Sequence, residues 1–153
     1  MRWHYRDPLL LWLFVPAYLA HLAEEWWAGF PEWIAAFAGR PLPGEAFLAM
    51  NAAALLLLFA ATMAATRRES AGWLAVAIAT VFTLNAVLHL LGAFASASYS
   101  PGMVTGVVLY VPLGLLTLLR AWHQQPPSQF ARGVAAGVAV HAVVIVVAFA
   151  ATG

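Results

Sequence analysis

The pentapeptide His21-Leu22-Ala23-Glu24-Glu25 places an imidazole and two carboxylates inside an apolar stretch long enough to cross a bilayer. Ionisable side chains at that depth are costly and ordinarily face a partner, a cavity or a metal rather than lipid. His89 and His141 add two imidazoles from later apolar segments. Imidazole and carboxylate together are the donor set of zinc and of paired iron. His21, His89 and one glutamate would fill three positions of a zinc and leave the fourth for water. The bound water would supply a hydroxide near neutral pH, with the second glutamate as general base. The expected ligand set is therefore His21, Glu24, Glu25, His89 and His141, with Glu24 and Glu25 also catalytic. Asn51, Asn85, Tyr99 and Thr105 are expected to orient those groups. Paired iron in helical bundles takes Glu-x-x-His from two helices. Here the order is His-x-x-Glu and it occurs once, which favours a single zinc.

Two other chemistries use the same residues. A carboxyl held in an apolar pocket stays protonated near neutrality and could donate a proton, with a histidine taking one away. That chemistry would suit metal-free isomerisation or cyclisation of a lipid, with aromatic faces stabilising a carbocation. Alternatively the glutamate pair could carry protons or a cation in a transporter or small-molecule binding protein. The competing structural reading ends the first span near Ala20 and leaves both carboxylates in headgroup water beside Trp26 and Trp27. It strands His89 and His141 in apolar segments without partners. A purely structural polar cluster is also weak, because interhelical polar contacts in membranes average only about 0.6 kcal/mol.

The elements that must position these groups are helices. Hydrophobic residues form 64% of the 153 residues and charged ones 8%, against about 25% charged in a soluble domain. Five segments are long and apolar enough to span, at about 8–29, 45–66, 71–95, 102–122 and 130–151. Lipid offers the backbone no partners, and the alternation of a membrane barrel is missing, so the expected fold is an all-α bundle of five transmembrane helices in one domain. Pro41, Pro43 and Gly44, then Pro101-Gly102, then Pro126-Pro127 punctuate the connections. Phe30, Trp33, Ile34 and Phe37 suggest a short interfacial helix after the first span. Pro16 frees the carbonyl of Trp12 and should kink the first helix below His21.

Composition removes several function classes. A net charge of +1 with no basic stripe argues against nucleic acid. The absence of cysteine excludes disulfides, thiolate zinc sites and cysteine nucleophiles. Arg2 and Arg6 before an apolar run resemble a signal peptide, but the run continues to Ala23 and ends in acidic and tryptophan residues, which disfavours cleavage.

Arginine sets the expected orientation. Arg2 and Arg6, Arg67 and Arg68, and Arg120 and Arg132 fall on one face of a five-span chain, and Arg40 alone on the other. The N-terminus is then cytoplasmic and the C-terminus extracytoplasmic, in a membrane expected to be the bacterial cytoplasmic one. His4 and His123 fall at the cytoplasmic edge, while Trp12, Trp73, Trp122 and Tyr99 read as lipid-facing or interfacial anchors. At ~1.5 Å per residue, His21, Asn51 and His89 all lie about 10 Å below the outer surface. Thr105 is shallower and His141 deeper. The inner half holds only Thr62, Thr80, Thr83 and Thr117, which can bond to their own helices. Gly133, Gly137 and His141 share a face, as do Gly102, Gly106, Tyr110 and Gly114; such small-residue faces allow close helix contact. A polar column confined to one leaflet suits catalysis on a lipid-soluble substrate better than transport.

In these motifs the chain resembles the integral membrane proteins named for a His-x-x-Glu-Glu (HXXEE) motif. His21, Glu24 and Glu25 carry the resemblance, with Asn85-x-x-x-His89 and Tyr99-Ser100-Pro101-Gly102-x-x-Thr105. It covers most of the chain and implies a site within the membrane, but no established reaction. The favoured expectation is a metal-dependent membrane hydrolase or oxidase with zinc or iron.

Overall fold

A computed structural model describes residues 7–153, and all regular structure among them is helical. Arg2, His4 and Arg6 lie outside the described residues. The helices are α1 (Pro8–Trp12), α2 (Phe14–Trp27), α3 (Phe30–Trp33), α4 (Ala35–Ala38), α5 (Gly44–Arg67), α6 (Trp73–Ser96), α7 (Met103–Thr105), α8 (Val111–Gln124) and α9 (Pro127–Ala151). A 3₁₀ turn, Glu69–Ala71, joins α5 to α6, and a π-helical turn, Gly106–Tyr110, joins α7 to α8.

Among the described residues, four helical stretches are long and apolar enough to cross a membrane: Gly44–Arg67, Trp73–Ser96, Met103–Gln124 and Pro127–Ala151. The shortest has 22 residues, about 33 Å at the α-helical rise and enough for a hydrocarbon core of about 30 Å. The first apolar segment differs from the single helix expected over 8–29. It is interrupted at Leu13, giving α1 and α2. Pro16 has no N–H to give Trp12, so the ladder loses a bond one turn before the proline. The expected interfacial helix is two short turns, α3 and α4, bounded by left-handed Gly29 and Gly39.

Contacts at the helix ends define two ends of the bundle. At one end Asp7 meets Arg120 at 3.4 Å and Gln124 at 3.4 Å, and Gln125 Nε2 donates to Gly72 O. Arg132 lies over the Trp73 ring there, 4.3 Å from its centroid. At the other end Arg40 donates to Gly153 O at 2.8 Å, and Trp26 stacks on Phe47 at the start of α5. His123 and Trp122 are exposed.

α6 is the central helix, packed against α5, α8 and α9. Small residues allow this. Ala75, Ala79 and Ala86 are fully buried. A Cβ on Gly133 would stand 2.5 Å from Val76 Cβ, and one on Gly137 would stand 2.6 Å from Thr80 Cβ. Gly114 likewise faces Thr83, and Gly106 faces Ala86. Both expected glycine faces therefore point inward, and Tyr110 and His141 are buried with them. The apolar core runs through Leu11, Phe14, Val76 and Phe82, with Phe14 edge-on to Phe82. Thr80 and Thr83 bond to carbonyls of their own helix, as expected. Thr62 and Thr117 do not: both hydroxyls are buried without a partner.

Candidate metal centre

On α2 the buried positions are Phe14, Ala17, His21 and Glu25. Steps of three and four residues make one stripe, so His21 and Glu25 continue inward the face that packs lower down. Adjacent residues on a helix point about 100° apart. Glu24 therefore leaves the stripe that Glu25 joins, and the two carboxylates meet different surroundings.

His89 reaches the same place from α6. Glu25 Oε1 lies 3.4 Å from His21 Nε2 and 3.3 Å from His89 Nε2. One ligand atom from each of His21, Glu25 and His89 lies within 4.8 Å of the others, and all three residues are buried. The two imidazoles meet edge to face, with centroids 4.9 Å apart. Tyr110, at the end of the π-helical turn, packs its ring 4.4 Å from that of His21. Val111 N–H reaches back to Gly106 O here. The widened turn also suits Pro112, which has no N–H to give.

The segment between α6 and α8 holds both imidazoles from behind. Thr105 Oγ1 lies 2.8 Å from His21 Nδ1, and Ser100 Oγ 3.1 Å from His89 Nδ1. When Thr105 Oγ1 donates to Gly102 O, 3.4 Å away, it accepts from His21 Nδ1–H. That tautomer turns the lone pair of His21 Nε2 toward Glu25 Oε1. Facing acceptors at this distance repel unless a proton or a cation lies between them. In keeping with this, His21 Nε2 is buried with no hydrogen-bond partner.

Glu24 does different work. Its Oε1 accepts from Tyr99 Oη and from the backbone N–H groups of Gly102 and Val104 at 3.2 and 3.0 Å. Its Oε2 accepts from Thr105 N–H at 2.7 Å. The carboxylate thus caps the start of α7 and fixes the turn that carries Ser100 and Thr105. The expectation of Glu24 as ligand or general base is corrected: its oxygens are committed to this cap, away from the His21–Glu25–His89 group. Tyr99, expected as an interfacial anchor or orienting residue, is a partner of Glu24. Its partial withdrawal from water and the Glu24 carboxylate push its phenol up to about 12.

The remaining expected residues separate. Thr105 touches His21 as an orienting group. Asn51 is occupied elsewhere: Tyr18 Oη donates to its Oδ1 at 2.6 Å, and its Nδ2 donates to Phe47 O. His141 is buried but outside the group of three, and both its ring nitrogens lack partners. Asn85 makes no hydrogen bond to His89; its Oδ1 is buried and unpartnered. Sequence reasoning missed the roles of Ser100 and Gly102, although both lie in a motif it quoted. Gly102 adopts φ +97°, and a Cβ there would stand 2.7 Å from His21 Cε1 and 2.8 Å from His89 Cε1. The Pro101-Gly102 pair was the available signal for such a close approach.

Two largely apolar cavities flank the site, one of about 350 Å³ beside His89 and one of about 330 Å³ beside His21 and Glu25. A profile of the family described as "Protein of unknown function with HXXEE motif" matches residues 12–117. That stretch holds the three buried residues and the whole Tyr99–Thr105 turn. Neither a curated protein nor a solved structure matches the chain.

Proposed function

This chain belongs to the HXXEE-motif family, and we propose that it is a membrane-embedded metal enzyme acting on a lipid-soluble substrate. The observation that carries this reading is the geometry around Glu25 Oε1. Donors about 2.0–2.1 Å from a tetrahedral zinc stand about 3.3–3.4 Å apart. The two His–Glu separations are 3.3 and 3.4 Å. A hydroxyl behind each Nδ1 can accept its N–H and so leave Nε2 free to bind metal, as orienting residues in metal sites do. Two imidazoles and one carboxylate are also the donor set of catalytic zinc and of mononuclear iron sites that keep open positions.

In this reading His21, Glu25 and His89 hold the metal, and Thr105 and Ser100 orient the imidazoles. Glu24 and Tyr99 position the turn that supplies those hydroxyls. The cavity beside Glu25 and His21 leads apolar substrate to the open face of the centre. A bound metal would lower the pKa of a coordinated water to near neutrality. With Glu24 committed to the cap, Glu25 is the carboxylate left to take up the proton. We further propose that α1 and α2 together make a fifth span. Asp7 then lies at the cytoplasmic face, and the site lies in the outer half of a bacterial cytoplasmic membrane, consistent with the arginine distribution.

Metal analysis of purified protein tests the centre. The expected result is about one zinc or iron per chain, retained in Glu24→Gln and lost in His89→Ala and Glu25→Gln. Metal-free protein that refuses added zinc and iron while remaining folded overturns the metal reading. The same His–Glu–His group would then share a proton, which favours acid–base chemistry on the lipid.

A further inference from the structure

His141 and Asn85 are the buried polar groups that the metal centre leaves unused. His141 is 5% exposed, and neither ring nitrogen has a partner. Asn85 Oδ1 is also buried without one. Leaving such atoms unpaired is costly to a fold, so they point to a missing polar partner. The two residues line the same two cavities. Gly133 packs on Val76 and Gly137 on Thr80, a constant offset along two helices running the same way. Carried one turn further, it sets His141 level with Leu84 and Asn85. Both residues line both cavities, so they stand where the two chambers adjoin. The rest of each lining is mostly apolar, from Leu88 and Phe149 on one side to Leu57 and Val147 on the other.

We propose that this junction binds an apolar alcohol: Asn85 and His141 hold its hydroxyl, and its hydrocarbon body fills the chambers. A neutral imidazole has one N–H to give and one nitrogen to accept, and Asn85 Oδ1 only accepts. A hydroxyl both donates to Oδ1 and accepts from the imidazole. A ketone, ester or ether oxygen has no proton for Oδ1, and a carboxylate would face it acceptor to acceptor. Chambers of about 350 and 330 Å³ are of the size that takes a small organic ligand. Asn85 precedes His89 by one helical turn, about 6 Å along the axis. The hydroxyl is thus an anchor set beside the centre, and the carbons near it are presented to Glu25 and His21. The alcohol as substrate rests on the proposed enzyme; its binding does not.

The test is photolabelling of the full chain in nanodiscs. The probes are a long-chain primary alcohol bearing an alkyl diazirine and the methyl ether of that alcohol. The alcohol is expected to label cavity-lining peptides of α9 and α5 about tenfold more than the ether, the ratio that one to two hydrogen bonds supply. His141→Phe and Asn85→Leu, each checked for a monodisperse, cooperatively melting protein, should erase the difference. Equal labelling by both probes in the parent protein overturns the inference and assigns the unpaired atoms to water. A preference that survives both substitutions overturns it as well. Glu25→Gln, expected to lose metal, should keep the preference for the alcohol. A parent protein that prefers the alcohol but holds no metal defeats the enzyme reading alone. One that holds metal without the preference defeats this inference alone.

Discussion

Glu25 and His89 meet across two helices, with Oε1 3.3 Å from Nε2, although 64 positions separate them in the chain. His21, one turn before Glu25 on the same helix, reaches the same oxygen at 3.4 Å. A single carboxylate oxygen thus joins α2 to α6, and the turn between α6 and α8 braces both imidazoles. Severing this junction should separate the residues of the proposed metal centre.

Removing Glu25 leaves two buried imidazoles without the carboxylate that faces them both. Glu25→Gln is expected to abolish metal binding. Its cost in stability should stay near 1–3 kcal/mol, because the amide still fills the volume and donates to one imidazole. Metal content and thermal melting of the same preparation decide the point. A variant with full metal content places the ligands elsewhere.

Glu24→Gln acts on the turn. A carboxylate accepting three backbone N–H groups and a phenol is replaced by an amide that turns an NH₂ toward some of those donors. Stability should fall by about 2 kcal/mol, roughly 4–8 °C in Tm for a chain of this size. Metal stoichiometry should stay at that of the parent. Loss of metal with an unchanged Tm contradicts the cap assigned to Glu24.

Gly102→Ala introduces a Cβ where φ is +97° and both imidazole Cε1 atoms stand within 2.8 Å. The backbone and the two histidines cannot all keep their places. The expected outcome is loss of bound metal together with a lower Tm. Gly39→Ala is the control: it also has positive φ, but nothing lies within 4 Å of the new Cβ. It should lower stability by about 1 kcal/mol and leave metal binding intact. Equal metal content in the two variants argues against the close approach at Gly102.

Tyr99 offers a pH signature. Its partial withdrawal from water and the neighbouring Glu24 raise the phenol from 10.0 to about 12. The folded state therefore prefers the neutral phenol. The stability tied to it is complete below pH 10 and disappears as pH rises through about 12. A phenolate difference spectrum of the parent against Tyr99→Phe should show one tyrosine titrating near pH 12. A midpoint near pH 10 contradicts the Tyr99–Glu24 contact.

The chain has no cysteine, so single cysteines report sidedness without background. Ser98→Cys and Thr152→Cys should react with a membrane-impermeant maleimide in intact spheroplasts. Ser70→Cys and Ser128→Cys should react only after lysis. The reverse pattern inverts the proposed orientation. Labelling of Ser98→Cys and Thr152→Cys from opposite faces rejects the parallel arrangement of α6 and α9.

Much of this protein was readable before folding. Long apolar runs between prolines and glycines specify helices, because a backbone out of water must satisfy itself. Glycines four residues apart on α9 marked the face that meets α6, since close approach excludes a Cβ. His21 and His89 were identifiable as neighbours because counting residues from the span ends puts both about 10 Å below the same surface. The division of labour between Glu24 and Glu25 was not readable. The two are chemically alike and adjacent, and only the rotation of α2 against α6 and the Tyr99–Thr105 turn decides which enters the site. Likewise nothing local to Ser100 showed that it braces an imidazole, and Pro101-Gly102 signalled a close approach without saying to what. Hydrogen bonds and close contacts depend on positions to within tenths of an ångström, and those positions are set by helices far apart in the chain. Spacing along one helix is a local property and can be counted; convergence of two helices on one oxygen is a property of their packing.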